Sequence, residues 1–140
     1  MTLKTFPGGV HPHDYKHYSK NSPIKELPLP EKVIIPLSQH IGAPANPVVK
    51  VGDEVKTGQV IAEASGFVSI PMHASISGKV TKIDIFPHPL GNSQPAIEIT
   101  GDGNDTWVEL TDNSDFMSLS VEEMKNRIRN AGVACNFFLG

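Results

Sequence analysis

The sequence holds a single cysteine, Cys135. One thiol closes no internal disulfide, and neither a thiolate zinc site nor an iron–sulfur cluster can be built on it. Such sparse cysteine fits a reducing, cytoplasmic compartment. Long apolar runs are missing as well. No stretch approaches the roughly 20 residues a membrane-spanning helix needs. The N-terminus has no apolar signal core before Pro7, Gly8 and Gly9. Any link to a membrane is therefore expected to run through partners. Charge of one sign is also scarce. Twelve Lys and Arg against fifteen Asp and Glu leave a net charge of −3, and Lys16, Lys20, Lys25, Lys32, Lys50 and Lys56 are scattered. Without a basic patch, nucleic acid is not an expected partner.

Proline and glycine are what the chain has in quantity, twelve of each. Every proline fixes φ and removes a backbone donor, which disfavours long helices and favours short strands joined by turns. Residues 1–30 read as an irregular arm, with extended chain at Ser22-Pro23-Ile24 and Leu27-Pro28-Leu29-Pro30. Residues 31–112 read as the folded domain. Short strands are expected at 32–36, 48–51, 60–64, 67–70, 76–83, 96–100 and 106–110, separated by turns such as Gly52-Asp53 and Thr57-Gly58-Gln59. A strand about every ten residues indicates an all-β barrel or sandwich. Gly78, inside a strand, suggests a bulge or a close backbone approach. Residues 113–140 read as a linker and a helix. Ser120 and Glu123 fit a capping box, Val121, Met124, Ile128 and Ala131 share one helical face, and Gly132 is a stop.

The run from Val51 to Ala64, with Gly52 and Gly58 at its turns, resembles the first half of a biotinyl/lipoyl carrier domain. His73 to Ile83 resembles the second half, where a Ser-Gly pair, here Ser77-Gly78, precedes the return strand. The resemblance implies a barrel-sandwich hybrid, two flattened sheets packed face to face. The carrier's lysine is missing. Ser65-Gly66-Phe67 occupies the hairpin tip, so no amide to biotin or lipoate can form there.

A longer ordered set is more specific. His11-Pro12, the string from Pro36 to Pro44 (Pro-Leu-Ser-Gln-His-Ile-Gly-Ala-Pro), Val51-Gly52-Asp53, Ser65-Gly66-Phe67-Val68-Ser69, Pro71 to Gly78 and Pro87-His88-Pro89 occur in turn. This resembles the N-terminal region of the C subunit of Rnf-type electron transport complexes, over about residues 1–133. The A subunit of the sodium-pumping quinone reductase is a more distant likeness. The resemblance implies a peripheral, cytoplasmic-side subunit that passes electrons between NAD(H), FMN and 4Fe–4S clusters beside other subunits of a membrane complex. Those groups belong to parts this sequence does not contain. The family's glycine-rich nucleotide loop is expected right after Ala131–Ala134, leading into a nucleotide-binding domain. Here the chain reads Cys135-Asn136-Phe137-Phe138-Leu139-Gly140, without the glycines whose N–H groups would cradle a phosphate. The chain therefore reads as truncated. Its expected role is structural and docking, with no catalytic, cofactor-binding or metal-binding residue of its own. The loop Pro36–Pro47 and the segment Pro71–Ser75 are the candidate protein-facing surfaces.

Two other classes compete. A free-standing carrier or phosphocarrier would use a lysine or a histidine such as His40 or His73, and a phosphoryl-bearing imidazole needs donors around it. For His40, a structural hydrogen bond to a loop carbonyl is the expected role. A metal module would use His11, His13 and His17, which Pro12 interrupts; ordinary loop hydrogen bonding is the plainer role for these histidines. Phe67 and Trp107, lone aromatics at strand positions, are expected in the core.

Overall fold

The computed structural model describes residues 12–110 and 115–133. Among these, seven strands form two antiparallel sheets. The larger has β1 (Lys32–Pro36), β7 (Ser93–Gly101), β6 (Gly78–Pro87) and β3 (Glu54–Val55) in that order; the smaller has β2 (Asn46–Pro47), β4 (Val60–Glu63) and β5 (Met72–His73). The long β6–β7 hairpin is the spine of the larger sheet.

Side chains from both sheets meet in one core. Ile35 on β1, Val55 on β3, Ile61 and Ala62 on β4, Met72 on β5, Val80 on β6, and Ile97 and Ile99 on β7 are all buried in it. Burying an aliphatic side chain contributes about 1.5–3 kcal/mol, so this cluster carries most of the stability. Two features of β6 let it do so. A Cβ at Gly78 would overlap the carbonyl of Thr100, which is the close approach expected there. The bulge itself falls further on, where the β6–β7 register shifts between Val80 and Lys82. It turns Ile83 inward where unbroken alternation would turn Lys82 in.

The element pattern departs from expectation in three places. Residues 48–51 are not a strand. Pro47 ends β2, and Asp53 Oδ2 takes the Lys50 N–H at 2.8 Å, which closes a turn instead. Residues 67–70 are not a strand either, because they form the apex of the β4–β5 connection. Residues 106–110 contribute only an isolated parallel bridge, between Trp107 and Thr57. That bridge is held by Thr57 N–H to Thr106 O at 2.9 Å and Val108 N–H to Thr57 O at 3.0 Å.

Helix α1 (Val121–Asn130) opens with the expected capping box. The Glu123 N–H donates to Ser120 Oγ, and the Ser120 N–H donates back to the Glu123 carboxylate. The helix is stopped by Gly132, which sits at φ +71 after the cap residue Ala131, with Gly132 N–H bound to Arg129 O and Val133 N–H to Ile128 O. This pair of bonds is the Schellman stop that glycine favours. No residue of α1 is buried.

Candidate docking surface

Strands β4 and β5 form a hairpin whose connection, Ala64 to Pro71, is the tip of the smaller sheet. Ser65 and Ser69 shape it. The Ser65 N–H donates to Ser69 Oγ at 3.1 Å, and Ser65 Oγ donates to the Pro44 carbonyl. These local side-chain bonds compete with strand pairing, which is why a run of β-formers makes no strand.

The Pro36–Pro47 loop braces that tip. His40 Nε2 accepts the Ile70 N–H at 3.2 Å. The partner of His40 is thus an amide on the opposite loop rather than the expected loop carbonyl, and this changes the ring's chemistry. With Nε2 accepting, the ring proton sits on Nδ1, which is buried without a hydrogen-bond partner. Neither nitrogen is then free to take a phosphoryl group. Gly42 packs so closely that a Cβ would fall on the Val68 carbonyl. On its other side the loop is tied to the β6–β7 turn. His88 Nδ1 accepts the Leu90 N–H at 3.2 Å, so Nε2 carries the proton and donates to the Ser38 carbonyl at 3.0 Å.

The braced tip turns apolar side chains outward. Phe67 is 94 % exposed, Ile41 71 % and Val68 59 %. No charged side chain occurs in residues 64–71 or 41–47. Phe67 therefore lies outside the core where strand placement predicts it inside. Trp107 departs in the same way: it is exposed, and its indole N–H bonds Asp105 Oδ2 at 3.1 Å. The carrier likeness is the better signal for Phe67, since it puts Ser65-Gly66-Phe67 at a hairpin tip.

The second expected surface, Pro71–Ser75, is largely used internally. Met72 and Ala74 are buried, and His73 and Pro71 face the end of α1, with the Gly132 Cβ position 3.2 Å from the His73 ring and from the Pro71 carbonyl. Of the histidine arm, His13 and His17 are exposed and flank Tyr15; His11 lies outside the described residues, as does Cys135. Among the described residues no group of three or more His, Cys, Asp or Glu side chains could hold a metal.

Residues 4–104 match the family described as the RnfC barrel sandwich hybrid domain. The chain belongs to that family. Its fold is accordingly the barrel-sandwich hybrid, and the tip described above carries no lysine. Three relatives are C subunits of larger complexes. The chain is 52 % identical over 132 residues to that of the proton-translocating ferredoxin:NAD(+) oxidoreductase complex of Clostridium ljungdahlii, covering 94 % of this chain and 29 % of that protein. It is 41 % identical over 130 residues to that of the Na(+)-translocating ferredoxin:NAD(+) oxidoreductase complex of Acetobacterium woodii, covering 92 % and 29 %. It is 44 % identical over 133 residues to that of the ion-translocating oxidoreductase complex of Pseudomonas aeruginosa, covering 94 % and 17 %. The chain thus spans less than a third of the length of these relatives.

Proposed function

We propose that this RnfC-family chain is a structural and docking domain of the C subunit in an ion-translocating ferredoxin:NAD(+) oxidoreductase complex, and that it performs no catalysis alone. The observation that carries this reading is the tip. A rigid loop pair presents Phe67, Ile41 and Val68 where a carrier domain would present an attachment lysine. An apolar, uncharged, pre-ordered knob suits a protein contact, because binding it costs little ordering entropy.

The cofactors of such a complex do not fit the residues present. A 4Fe–4S cluster held by four thiolates cannot form on one cysteine, and the chain has no glycine-rich loop to hold the phosphates of FMN or NAD(H). Those groups are assigned to the remainder of the longer polypeptide. No helix among the described residues is long and apolar enough to cross a membrane. The domain is assigned to the cytoplasmic face, held at the membrane by other subunits.

Co-sedimentation tests the reading. Membranes carrying the complex, washed free of this polypeptide, should retain the purified chain, and F67D with I41D should lower retention about tenfold or more without changing the melting temperature. Equal retention of the double variant would remove the tip from the interface. A mass increment on a lysine, or a labile phosphoryl on a histidine, would favour the carrier class instead.

A further inference from the structure

Two histidines hold the Pro36–Pro47 loop, and each does so with a lone pair. His40 Nε2 accepts the Ile70 N–H of the tip at 3.2 Å. His88 Nδ1 accepts the Leu90 N–H at 3.2 Å, which leaves its Nε2 to donate to the Ser38 carbonyl at 3.0 Å. Both arrangements need a neutral ring. An imidazolium carries a hydrogen on each nitrogen. A protonated His40 would set an N–H against the Ile70 N–H, and a protonated His88 would do the same at Leu90. Both histidines are partly buried. The Nδ1 of His40 is buried without a partner, so a charge on that ring would gain no hydrogen bond there.

No nearby charge offsets this. Residues 36–47, 64–71 and 86–93, the segments that meet at these rings, contain no Asp, Glu, Lys or Arg, and His40 and His88 are their only titratable side chains. On the adjoining strands the charged groups are engaged or turned elsewhere. Lys32 pairs with Glu98, and Lys82 with Asp84, which also accepts the Ile85 N–H. Glu63 is exposed at the end of β4, Lys79 lies at the far end of β6 opposite Glu54, and His73 faces the end of α1.

We propose that His40 and His88 form a proton-controlled clasp. With both rings neutral the loop pair is closed and the Phe67 tip is held in shape. Protonation in mild acid parts the loops and frees the tip. The sign follows from counting protons: the open form binds a proton on each ring that the closed form excludes, so acid favours opening. Imidazole titrates near neutrality, above the carboxylate range, so the clasp opens while the barrel core stays folded. The clasp stands on the ring geometry alone. Its consequence for binding rests on the docking reading above: a tip that must be ordered on contact binds more weakly than one already ordered.

The test uses the full 140-residue chain. Amide protection factors, which remove the intrinsic pH dependence of exchange, are compared at about pH 7.5 and about pH 5.5, either side of the ordinary imidazole range. Protection at Ile70 should fall about tenfold or more at the lower pH, with the β6–β7 amides unchanged. H40Q places a side-chain carbonyl near the Nε2 position and H88N one near Nδ1, and neither titrates. In the double variant, protection at Ile70 should be the same at both pH values. Constant protection in the wild type would overturn the clasp, and so would an equal fall in the double variant. Retention on the washed membranes at fixed salt should drop about threefold or more in acid for the wild type only. An equal drop in both proteins would overturn the link from clasp to docking. A wild-type chain that sediments at neither pH would overturn the docking reading and leave the clasp standing on the exchange result.

Discussion

The buried hydroxyl of Ser77 donates a 2.7 Å hydrogen bond to the Asp102 carboxylate and accepts the Thr106 N–H at 2.9 Å. With Thr57 Oγ1 donating to Asp105 Oδ1 at 2.8 Å, this pins the segment after β7 to the residues that precede β6 and follow β3. S77A removes both bonds of a buried group and is expected to cost about 1–2 kcal/mol in a urea melt. S77C keeps the volume but weakens both bonds and should lose a comparable amount; wild-type stability of S77A would mean that the two bonds contribute nothing net.

Acid should act on the same latch. Asp102 is held below its ordinary carboxyl value, first by the Asn104 N–H and then by the Ser77 hydroxyl. A group whose folded value is depressed contributes stability that is complete above its unfolded value, 3.8 for Asp102, and that is lost as pH falls through the folded value. Glu98 is held low in the same sense by the Thr81 hydroxyl and by Lys32. The melting temperature of the wild type should therefore fall more steeply below about pH 4 than that of D102N with E98Q. Parallel curves for the two proteins would exclude these carboxylates as the acid-sensitive groups.

Gly42→Ala places a methyl on the Val68 carbonyl, so the loop pair must separate. The expected loss is about 1–3 kcal/mol, with faster amide exchange at Ile70. Unchanged exchange at Ile70 would mean that the two loops do not pack against each other.

His40→Phe keeps an aromatic ring but removes the acceptor of the Ile70 N–H. Exchange of that single amide should rise about tenfold or more, while amides of the β6–β7 hairpin stay at the global rate. H40Q, which offers a side-chain carbonyl, should restore part of the protection.

Ile97→Ala opens the centre of the core, where Ile97 is fully buried, and should cost about 2–5 kcal/mol. Ser120→Ala removes a helix cap worth about 1 kcal/mol. Because α1 buries no residue, helical circular dichroism should drop with no shift in the main unfolding transition. A common shift in both signals would show that α1 and the barrel unfold as one unit.

Much of this architecture is legible from punctuation in the chain. β1 coincides with the expected 32–36 run because Pro30 and Pro36 bound it, and α1 follows its capping box and Gly132. Sequence pattern fails where a side chain or a neighbouring loop decides the backbone. Asp53 captures Lys50 N–H, Ser65 and Ser69 curl the tip, and the partner of His40 comes from thirty residues away. None of these is a periodicity, so no pattern of apolar residues announces them. Phe67 escapes the pattern for the same reason: strand propensity describes a half-buried pleat, and the tip offers no second side to bury against.

The proline density has a consequence for solubility. Among the described residues the sheet edges are β1, β3, β2 and β5, of which the longest is five residues. β1 opens on Lys32 and closes on Pro36, and β2 closes on Pro47, so each of these two strands is missing a donor that a stacking neighbour would need. Short edges without a full row of donors give a second sheet nothing to extend, and a concentrated solution of this domain should stay free of cross-strand aggregates even with its apolar tip uncovered.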